Sequence, residues 1–148
     1  MREIKFRVWN DYSKHYTSLS EAALYGIIKP YGNELKNVSN TEMVIEQFTG
    51  LKDKNGKEIY EGDIIKSNWN RFDGEYIGEN YVVKFGEFYY NGGYESSYGG
   101  YGYYAESIHD QYNFGASSLN NIPCNQSEKE FYDIEIIGNI HENEDLLK

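Results

Sequence analysis

A β-hairpin pattern at residues 48–66 constrains the fold of this chain more than any other stretch. Its sequence is FTGLKDKNGKEIYEGDIIK, and Asn55-Gly56 is a dipeptide typical of a tight turn with positive φ angles. The residues of high β propensity that follow the turn are Ile59, Tyr60, Ile64 and Ile65. Gly62, between them, predicts a β-bulge or a close approach of the backbone to another group. The stretch is therefore predicted to form a strand, a turn and a second strand.

Residues 2–9 predict a strand near the start of the chain. The apolar residues Ile4, Phe6 and Val8 alternate there with the charged residues Glu3, Lys5 and Arg7. Successive side chains of a strand point to opposite faces, so a period of two puts each set on its own face. We expect the apolar face to be buried and the charged face to meet solvent.

Weaker patterns divide the rest of the chain. A short helix is predicted at 21–24, capped by Ser20 and ended by Gly26. The other predicted strands are 16–19, 43–48, 76–85, 87–90 and 131–140, with Gly86 as a turn. The predicted loops are 30–40, 67–75 and a Tyr/Gly-rich insertion at about 91–126. The fold class is therefore mainly β (α+β), with antiparallel strands curled into a small barrel, one short helix and a single domain over 1–148.

The charge of the chain is strongly negative and unevenly distributed. The formal net charge is −10, with 11 Lys or Arg against 10 Asp or Glu in residues 1–72 and 3 against 14 in residues 73–148. Direct binding of nucleic acid through phosphate attraction is disfavoured by this balance. The single Cys124 fits a reducing cytoplasm, and no apolar run approaches the ~18 residues of a membrane span. We therefore expect a cytoplasmic protein without membrane contact.

Residues 91–104 form the stretch whose composition points to a function. Tyrosine, serine and glycine together suit a recognition surface, because the ring gives rigid contact area and glycine lets the backbone conform. The candidate contact residues are Tyr89, Tyr90, Tyr94, Tyr98, Tyr101, Tyr103 and Tyr104. The same rings are also expected of a packed hairpin, of an oligomer interface or of a partly disordered loop. No Lys or Arg lies between Glu87 and Glu128, which argues against stacking on single-stranded nucleic acid.

The spacing of the candidate catalytic and metal-binding residues does not match a known motif. The carboxylates Asp53, Glu58, Glu61 and Asp63 lack the glycine and glutamate positions of a calcium-binding EF-hand loop, and neighbouring lysines indicate a solvated hairpin. Gly100-x-Gly102-x-x-Ala105 lacks the strand and helix that a dinucleotide-binding loop requires. The candidates that stand alone, without a ligand or catalytic partner at a suitable spacing, are His15, His109, His141 and Cys124. We expect no enzyme activity, metal or cofactor.

Three stretches together resemble a known family. They are MREIKFRVW at residues 1–9, TGLKDKNGKEIYEGDIIK at 49–66 and IIGNIHENEDLL at 136–147. They resemble the YopX family of small phage and prophage proteins, although Glu144 stands where the family pattern has proline. The resemblance implies a mainly β fold with an SH3-like barrel component, and a gene carried by a phage or prophage of Gram-positive bacteria. It implies no particular activity.

Two hypotheses of function from different classes follow. The first is a non-enzymatic protein-protein interaction module that self-associates as a homo-oligomer and engages a host or phage protein, because an open, tyrosine-rich sheet edge is expected to pair with another copy. The alternative is an acidic decoy, whose carboxylates imitate the phosphates of DNA and occupy a host nuclease or DNA-binding protein. Binding by a decoy would weaken steeply with salt, whereas an aromatic interface would not.

Overall fold

The structure is a computed structural model, and it describes residues 3–24, 28–31, 34–37, 43–70, 76–91, 97–108, 116–118 and 134–148. Its helices are α1 (Leu19–Leu24) and a 3-10 helix (Glu144–Leu147). The strands in chain order are β1 (Phe6–Asn10), β2 (His15–Ser18), β3 (Ile28–Tyr31), β4 (Glu34–Asn37), β5 (Met43–Lys52), β6 (Glu58–Tyr60), β7 (Asp63–Asn70), β8 (Tyr76–Asn91), β9 (Ser97–Ser107), β10 (Ala116–Ser118) and β11 (Ile134–Asn139).

These strands form three antiparallel sheets. The first has the order β2-β1-β5-β6 and curls into a half-barrel, the second has the order β10-β9-β8-β7-β11, and β3 pairs with β4. A mainly β, antiparallel fold with one short α-helix is thereby confirmed, while the SH3-like character of the barrel stays a prediction. Within the described ranges, no helix combines the length and the apolar character needed to cross a membrane.

Two apolar clusters hold the sheets together. The larger cluster joins β6 of the first sheet to the second sheet, and its buried members are Ile59, Ile65, Val83, Tyr103 and Ala105. The smaller cluster packs α1 on the first sheet through Val8 and Ala22. Burial of apolar surface contributes about 25 cal/mol per Å², so side chains with almost no exposed surface, such as these, stabilise the fold most.

The predicted hairpin is present, but its turn differs from the expected one. Gly56 has φ of 81°, whereas Asn55 is absent from the residues with positive φ. Asp53 and Lys57 close the loop through a 2.8 Å backbone hydrogen bond, and the amide of Gly56 donates to the Asp53 carbonyl at 2.9 Å. This arrangement is a three-residue loop with glycine in the left-handed region. The Asp53 carboxylate fixes it by accepting from the amides of Asn55 and Lys57 at 2.8 and 2.9 Å.

The same loop covers the outer edge of β11. The Lys54 amide donates to the Ile134 carbonyl at 2.9 Å, and the Ile136 amide donates to the Asp53 carboxylate at 3.3 Å. Asp53 is 7% exposed and Asp63 is 1% exposed. The expectation of a fully solvated hairpin is therefore wrong for these two carboxylates, because tertiary contacts with β11 and β1 bury them.

Predictions from local sequence were wrong at several boundaries. The helix cap is Ser18, whose hydroxyl accepts from the Glu21 amide at 3.1 Å while the Glu21 carboxylate accepts from the Ser18 amide at 3.0 Å. This reciprocal pair is a capping box, and it starts the helix two residues before the predicted Ser20. The predicted helix end at Gly26 lies outside the described residues. The segment predicted as a loop at 30–40 instead contains residues of β3 and all of β4.

The second sheet extends further than local propensity predicts. β7 continues to Asn70, and β8 runs straight through Gly86. The loop expected at about 91–126 contains β9 and the short β10. The physical reason is cross-strand pairing, since β8 and β9 are matched at eleven consecutive positions from Tyr81↔Ser107 to Asn91↔Ser97. A backbone ladder of that length compensates for the low β propensity of glycine.

Gly62 and Gly56 provide a matched pair of substitutions. Both have positive φ, 76° and 81°, but a Cβ at Gly62 would overlap Oε1 of Glu46 while a Cβ at Gly56 would meet nothing within 4 Å. We expect Gly56→Ala to cost about 1–2 kcal/mol of unfolding free energy from backbone strain alone. Gly62→Ala should cost clearly more, because Glu46 must also move. Urea unfolding of both variants measures the difference, and equal losses would contradict the close approach.

Candidate functional site

The tyrosine-rich strand β9 pairs with β8 in a long two-stranded ribbon. One face of this ribbon is buried at one end and exposed to solvent at the other. Residues that are directly opposite in the register lie on the same face, which places Val83 with Ala105 and Phe85 with Tyr103. Val83, Ala105 and Tyr103 are buried, whereas Phe85 is 46% exposed and Tyr101 is 76% exposed. We call Phe85, Tyr101 and Tyr103 the aromatic face. The aromatic face extends from the buried Tyr103 to the exposed Phe85 and Tyr101.

Ring contacts hold the aromatic face in place. Phe85 lies 5.3 Å from Tyr101 in an edge-to-face arrangement and 4.8 Å from Tyr103, measured between ring centroids. Such pairs add about 0.5–1.5 kcal/mol beyond the area that they bury. Because Tyr103 is anchored in the core, Phe85 and Tyr101 are presented on a preordered surface.

The opposite face of the ribbon is covered by its own side chains. The ring of Phe88 lies over Gly100, where a Cβ would stand 2.7 Å from the Phe88 Cζ. Phe88 also packs against Tyr104 at 5.5 Å between centroids, and Lys84 forms an ion pair with Glu106. Glycine is required at Gly100 because the ring occupies the space of a side chain. On this face, the side chains of Lys84, Phe88, Tyr104 and Glu106 therefore find partners within the ribbon itself, which distinguishes it from the aromatic face.

The candidate tyrosines whose side chains the structure describes, Tyr101, Tyr103 and Tyr104, lie on both faces of the ribbon. Tyr101 and Tyr103 share the aromatic face, and the adjacent Tyr104 points to the other side. Tyr90 and Tyr98 occupy opposite register positions, and Tyr89 stands opposite Gly99. The residues whose side chains lie outside the described part are Tyr89, Tyr90, Tyr94 and Tyr98. The sequence prediction did not include Phe85 or Phe88 among the contact residues. Phe85 alternates with Tyr81 and Val83 along the strand, so the sequence already indicated that the three share one face.

A second group of side chains lies where β1, β5 and the C-terminal segment meet. We call it the Arg7 network, and its members are Arg7, Tyr16, Glu46, Asp63 and His141. The Glu46 carboxylate, 2% exposed, accepts hydrogen bonds from Arg7 Nε at 2.7 Å and from the Tyr16 hydroxyl at 3.1 Å. His141 Nε2 lies 2.9 Å from its other oxygen. Arg7 Nη2 donates in turn to Asp63 at 2.8 Å.

Aromatic rings surround the charges of the network. The imidazole of His141 stacks on Trp9, with centroids 4.8 Å apart and planes 7° apart. The Arg7 guanidinium lies between two rings, 4.2 Å from the centroid of Tyr16 and 4.7 Å from that of Tyr60. Planar guanidinium groups suit such stacking while they pair with carboxylates. The network therefore joins residues far apart in sequence into one packed unit.

Burial shifts the pKa values of several groups in and beside the network. It raises the pKa of Asp63, which attraction by Arg7 does not fully offset, and it raises the pKa of Glu61 beside Glu46. Burial alone would lower the pKa of Arg7, but the charges of Asp63 and Glu46 more than compensate and raise it. Burial also raises the pKa of Tyr16, so its hydroxyl stays protonated and donates to Glu46.

Sequence reasoning did not group these residues. It assigned Arg7 to a solvent-facing side of β1, which is wrong because Trp9 on the same side is 1% exposed. Two large apolar residues in succession, Val8 and Trp9, indicate a strand that is covered on both faces, and this was the signal in the sequence. His141 was set aside as isolated, since its partners are 95 and 132 positions away along the chain.

The chemistry of the Arg7 network favours a structural role. Both oxygens of Glu46 have partners within the network, and Asp63 accepts from Arg7 and from the Tyr60 amide at 2.8 Å. A general base must reach a substrate proton, and these lone pairs are already engaged. In the part of the chain that the structure describes, no group of three or more His, Cys, Asp or Glu is placed to hold a metal ion. His109 and Cys124 lie outside that part.

The described elements define a mainly β, antiparallel protein with one short α-helix. The model of the YopX protein family matches residues 5–148, so the chain belongs to the YopX family. This match confirms the resemblance of the three sequence stretches. The chain is also similar to the crystal structure of protein EF1440 from Enterococcus faecalis, with 24% identity over 100% of both chains and a TM-score of 0.49. No curated protein matches the sequence significantly.

Arg7→Met tests the network by removing its guanidinium. We expect a loss of about 3–5 kcal/mol of unfolding free energy at neutral pH, because Glu46 and Asp63 are left as buried charges without a counter-ion. The loss should shrink in acid, because burial raises the pKa of Asp63 and protonation then removes the charge of that carboxyl. Urea unfolding at a series of pH values measures it. Lys5→Met, directly before the same strand, is the control, since its 2.6 Å ion pair with Glu58 is at the surface and should matter little.

Glu61→Gln removes a partly buried charge and keeps an acceptor for the Gln47 amide, which lies 3.0 Å away. Burial raises the pKa of Glu61 in the folded state, so its contribution to stability is complete below the ordinary glutamate pKa of about 4.3 and is lost as pH rises through the raised value. The variant should therefore match the wild type in acid and gain relative stability toward neutral pH.

The control for this pH dependence is Glu58→Gln. A hydrogen bond from Lys5 lowers the pKa of Glu58, so the control should lose a small amount of stability relative to the wild type at neutral pH and recover it on acidification. Unfolding free energies measured across pH give both curves. A pH-independent difference for Glu61→Gln would contradict the assignment.

Proposed function

We propose that this YopX-family protein is a phage or prophage accessory protein that acts as a non-enzymatic protein-protein interaction module in the host cytoplasm. It self-associates through the aromatic face of the β8–β9 ribbon and presents the assembled surface to a host or phage protein. The observation that carries the proposal is the continuity of this face, on which Val83, Ala105 and Tyr103 of the core lead without a break to the exposed rings of Phe85 and Tyr101.

The exposed rings of Phe85 and Tyr101 favour association because they are already ordered. Exposed aromatic groups next to a rigid core lose little conformational entropy when a partner covers them. Aromatic residues are enriched among the side chains that dominate binding energy at interfaces. Phe85 and Tyr101 are already held by mutual edge-to-face contact and by Tyr103, so the free monomer presents them in a fixed geometry.

The acidic-decoy alternative has less support from the described residues. Glu106 pairs with Lys84, and Glu135 pairs with Lys54 at 2.7 Å. A DNA mimic needs free carboxylates spaced along one face, and these two are partly neutralised by neighbouring cations. The interaction module is therefore the function that the geometry favours.

Light scattering coupled to size-exclusion chromatography, run at low and high salt, tests self-association. We expect a discrete oligomer that persists in high salt, because an aromatic contact is little affected by screening. Tyr101→Ser should weaken the association by roughly tenfold or more. Tyr12→Ser is the matched control, since Tyr12 is 85% exposed on the β1–β2 turn, away from the ribbon.

Three outcomes would contradict the proposal. A wild-type monomer at both salt concentrations would remove self-association altogether. An oligomer that Tyr101→Ser and Tyr12→Ser affect equally would show that the aromatic face is not the contact. An oligomer that dissociates as salt rises would indicate a charged interface instead.

A further inference from the structure

The turn of the central hairpin contains a chemically reactive dipeptide. Asparagine followed by glycine occurs twice in the chain, at Asn55-Gly56 and at Asn91-Gly92. In such a pair the glycine nitrogen can lose its proton and attack Cγ of the asparagine side chain, and ammonia leaves as a five-membered succinimide ring forms. Water then opens the ring at either carbonyl, which yields aspartate or isoaspartate. Glycine favours the attack because it has no Cβ to block the approach.

Asn55-Gly56 is accessible to the reactants of this deamidation. Both residues are exposed at the tip of the hairpin, so the water that opens the ring can reach them. A Cβ added at Gly56 would meet nothing within 4 Å, which leaves space for a succinimide ring. Neither solvent access nor steric crowding therefore protects Asn55.

The backbone geometry of the turn, by contrast, opposes the attack. The Gly56 amide donates to the Asp53 carbonyl at 2.9 Å, so residues 53–56 form a hydrogen-bonded β-turn. Lys54 and Asn55 are absent from the residues with positive φ, which makes this a type I turn with ψ of about 0° at Asn55. That angle places the Gly56 nitrogen beside the backbone nitrogen of Asn55, whereas ring closure requires it beside Cβ. The attacking atom is therefore hydrogen-bonded and turned away from Cγ.

The Asp53 carboxylate holds this geometry. It accepts from the amides of Asn55 and Lys57 at 2.8 and 2.9 Å, and the Asn55 side chain also donates to it. Burial alone would raise the pKa of Asp53, but the hydrogen bonds that it accepts more than compensate and lower it. The Ile136 amide of β11 donates to the same carboxylate at 3.3 Å and fastens the turn to the second sheet. A carboxylate so close to Gly56 also disfavours loss of the amide proton.

We propose that Asn55-Gly56 is a latent self-modification site, which the turn around the Asp53 carboxylate holds unreactive in the folded protein and which deamidates when the turn opens. The reaction then prevents the turn from closing in its original form. Isoaspartate inserts a methylene group into the backbone between residues 55 and 56, and either product adds a negative charge beside Asp53. The contacts through which the loop covers the edge of β11 are weakened as a result. This proposal is independent of self-association.

Peptide mapping by mass spectrometry, after incubation of the full chain at neutral pH, measures deamidation separately at Asn55 and at Asn91. The reference is the same chain unfolded in guanidinium chloride. We expect Asn55 to deamidate more slowly in the native protein than in the reference, by roughly tenfold or more, because the reaction requires local opening of the turn. Equal rates at Asn55 in the native and unfolded chains would overturn the proposal.

Asp53→Ala tests the role of the carboxylate. The variant should deamidate at Asn55 faster than the wild type by roughly tenfold or more, while the rate at Asn91 stays at its native value. Lys52→Met is the matched control, since Lys52 is exposed on the same hairpin and its removal leaves the hydrogen bonds of the turn in place. It should leave both rates unchanged.

The rate at Asn91 also reports whether a variant is folded. An Asp53→Ala protein with native circular dichroism that deamidates at Asn55 as slowly as the wild type would overturn the proposal. If both asparagines react faster, the substitution has unfolded the chain, and Asp53→Asn, which keeps one acceptor oxygen, takes its place. A rate at Asn55 alone that lies between those of the wild type and the unfolded chain then supports the proposal, and an unchanged rate contradicts it.

Discussion

The burial of the Glu46 and Asp63 carboxylates against Arg7 is the constraint on which the described structure depends. A buried carboxylate is costly unless it is paired and hydrogen-bonded, so each member of the network must stay in place for the others to be tolerated. Arg7 comes from β1, Glu46 from β5 and Asp63 from the start of β7, while His141 comes from the turn after β11. The network therefore fixes both ends of the chain on the central hairpin.

Gly62 shows how closely the backbone follows this constraint. Its positive φ and its contact with Glu46 leave no space for a side chain, and its carbonyl accepts from the Ile140 amide at 2.9 Å. The residue thus joins the turn before β7 to the end of β11 directly beside the buried carboxylate. Three stretches that carry the family resemblance meet here: Arg7 belongs to the first, Gly62 and Asp63 to the second and His141 to the third.

The ribbon of β8 and β9 is organised by a different principle. The Arg7 network satisfies its polar groups internally, whereas the ribbon carries apolar rings outward from the core and leaves Phe85 and Tyr101 exposed. Among the described residues, the ribbon thus presents exposed aromatic rings next to a packed core, and exposed apolar patches are typical of interaction sites.

The sequence by itself determined the elements whose cause is local. Alternation predicted β1, Asn55-Gly56 predicted a hairpin, Gly62 predicted a β-bulge or a close approach, and the isoleucines at 134 and 136 predicted β11. Short-range sterics and a two-residue period are sufficient for these. Composition also directed attention to the tyrosines of β9, although it did not show that Ser97–Ser107 is a strand.

Only the tertiary structure decided which groups meet. The local pattern predicts that Arg7 lies at the surface. In the structure it is the cation of a buried network, because Glu46 and Asp63, 39 and 56 positions away, accept its hydrogen bonds. β9 is glycine-rich and becomes a strand because β8 supplies a matched partner at every position from Ser97 to Ser107. Both outcomes depend on contacts between distant residues, and the free energy of such contacts does not exist until the chain has folded.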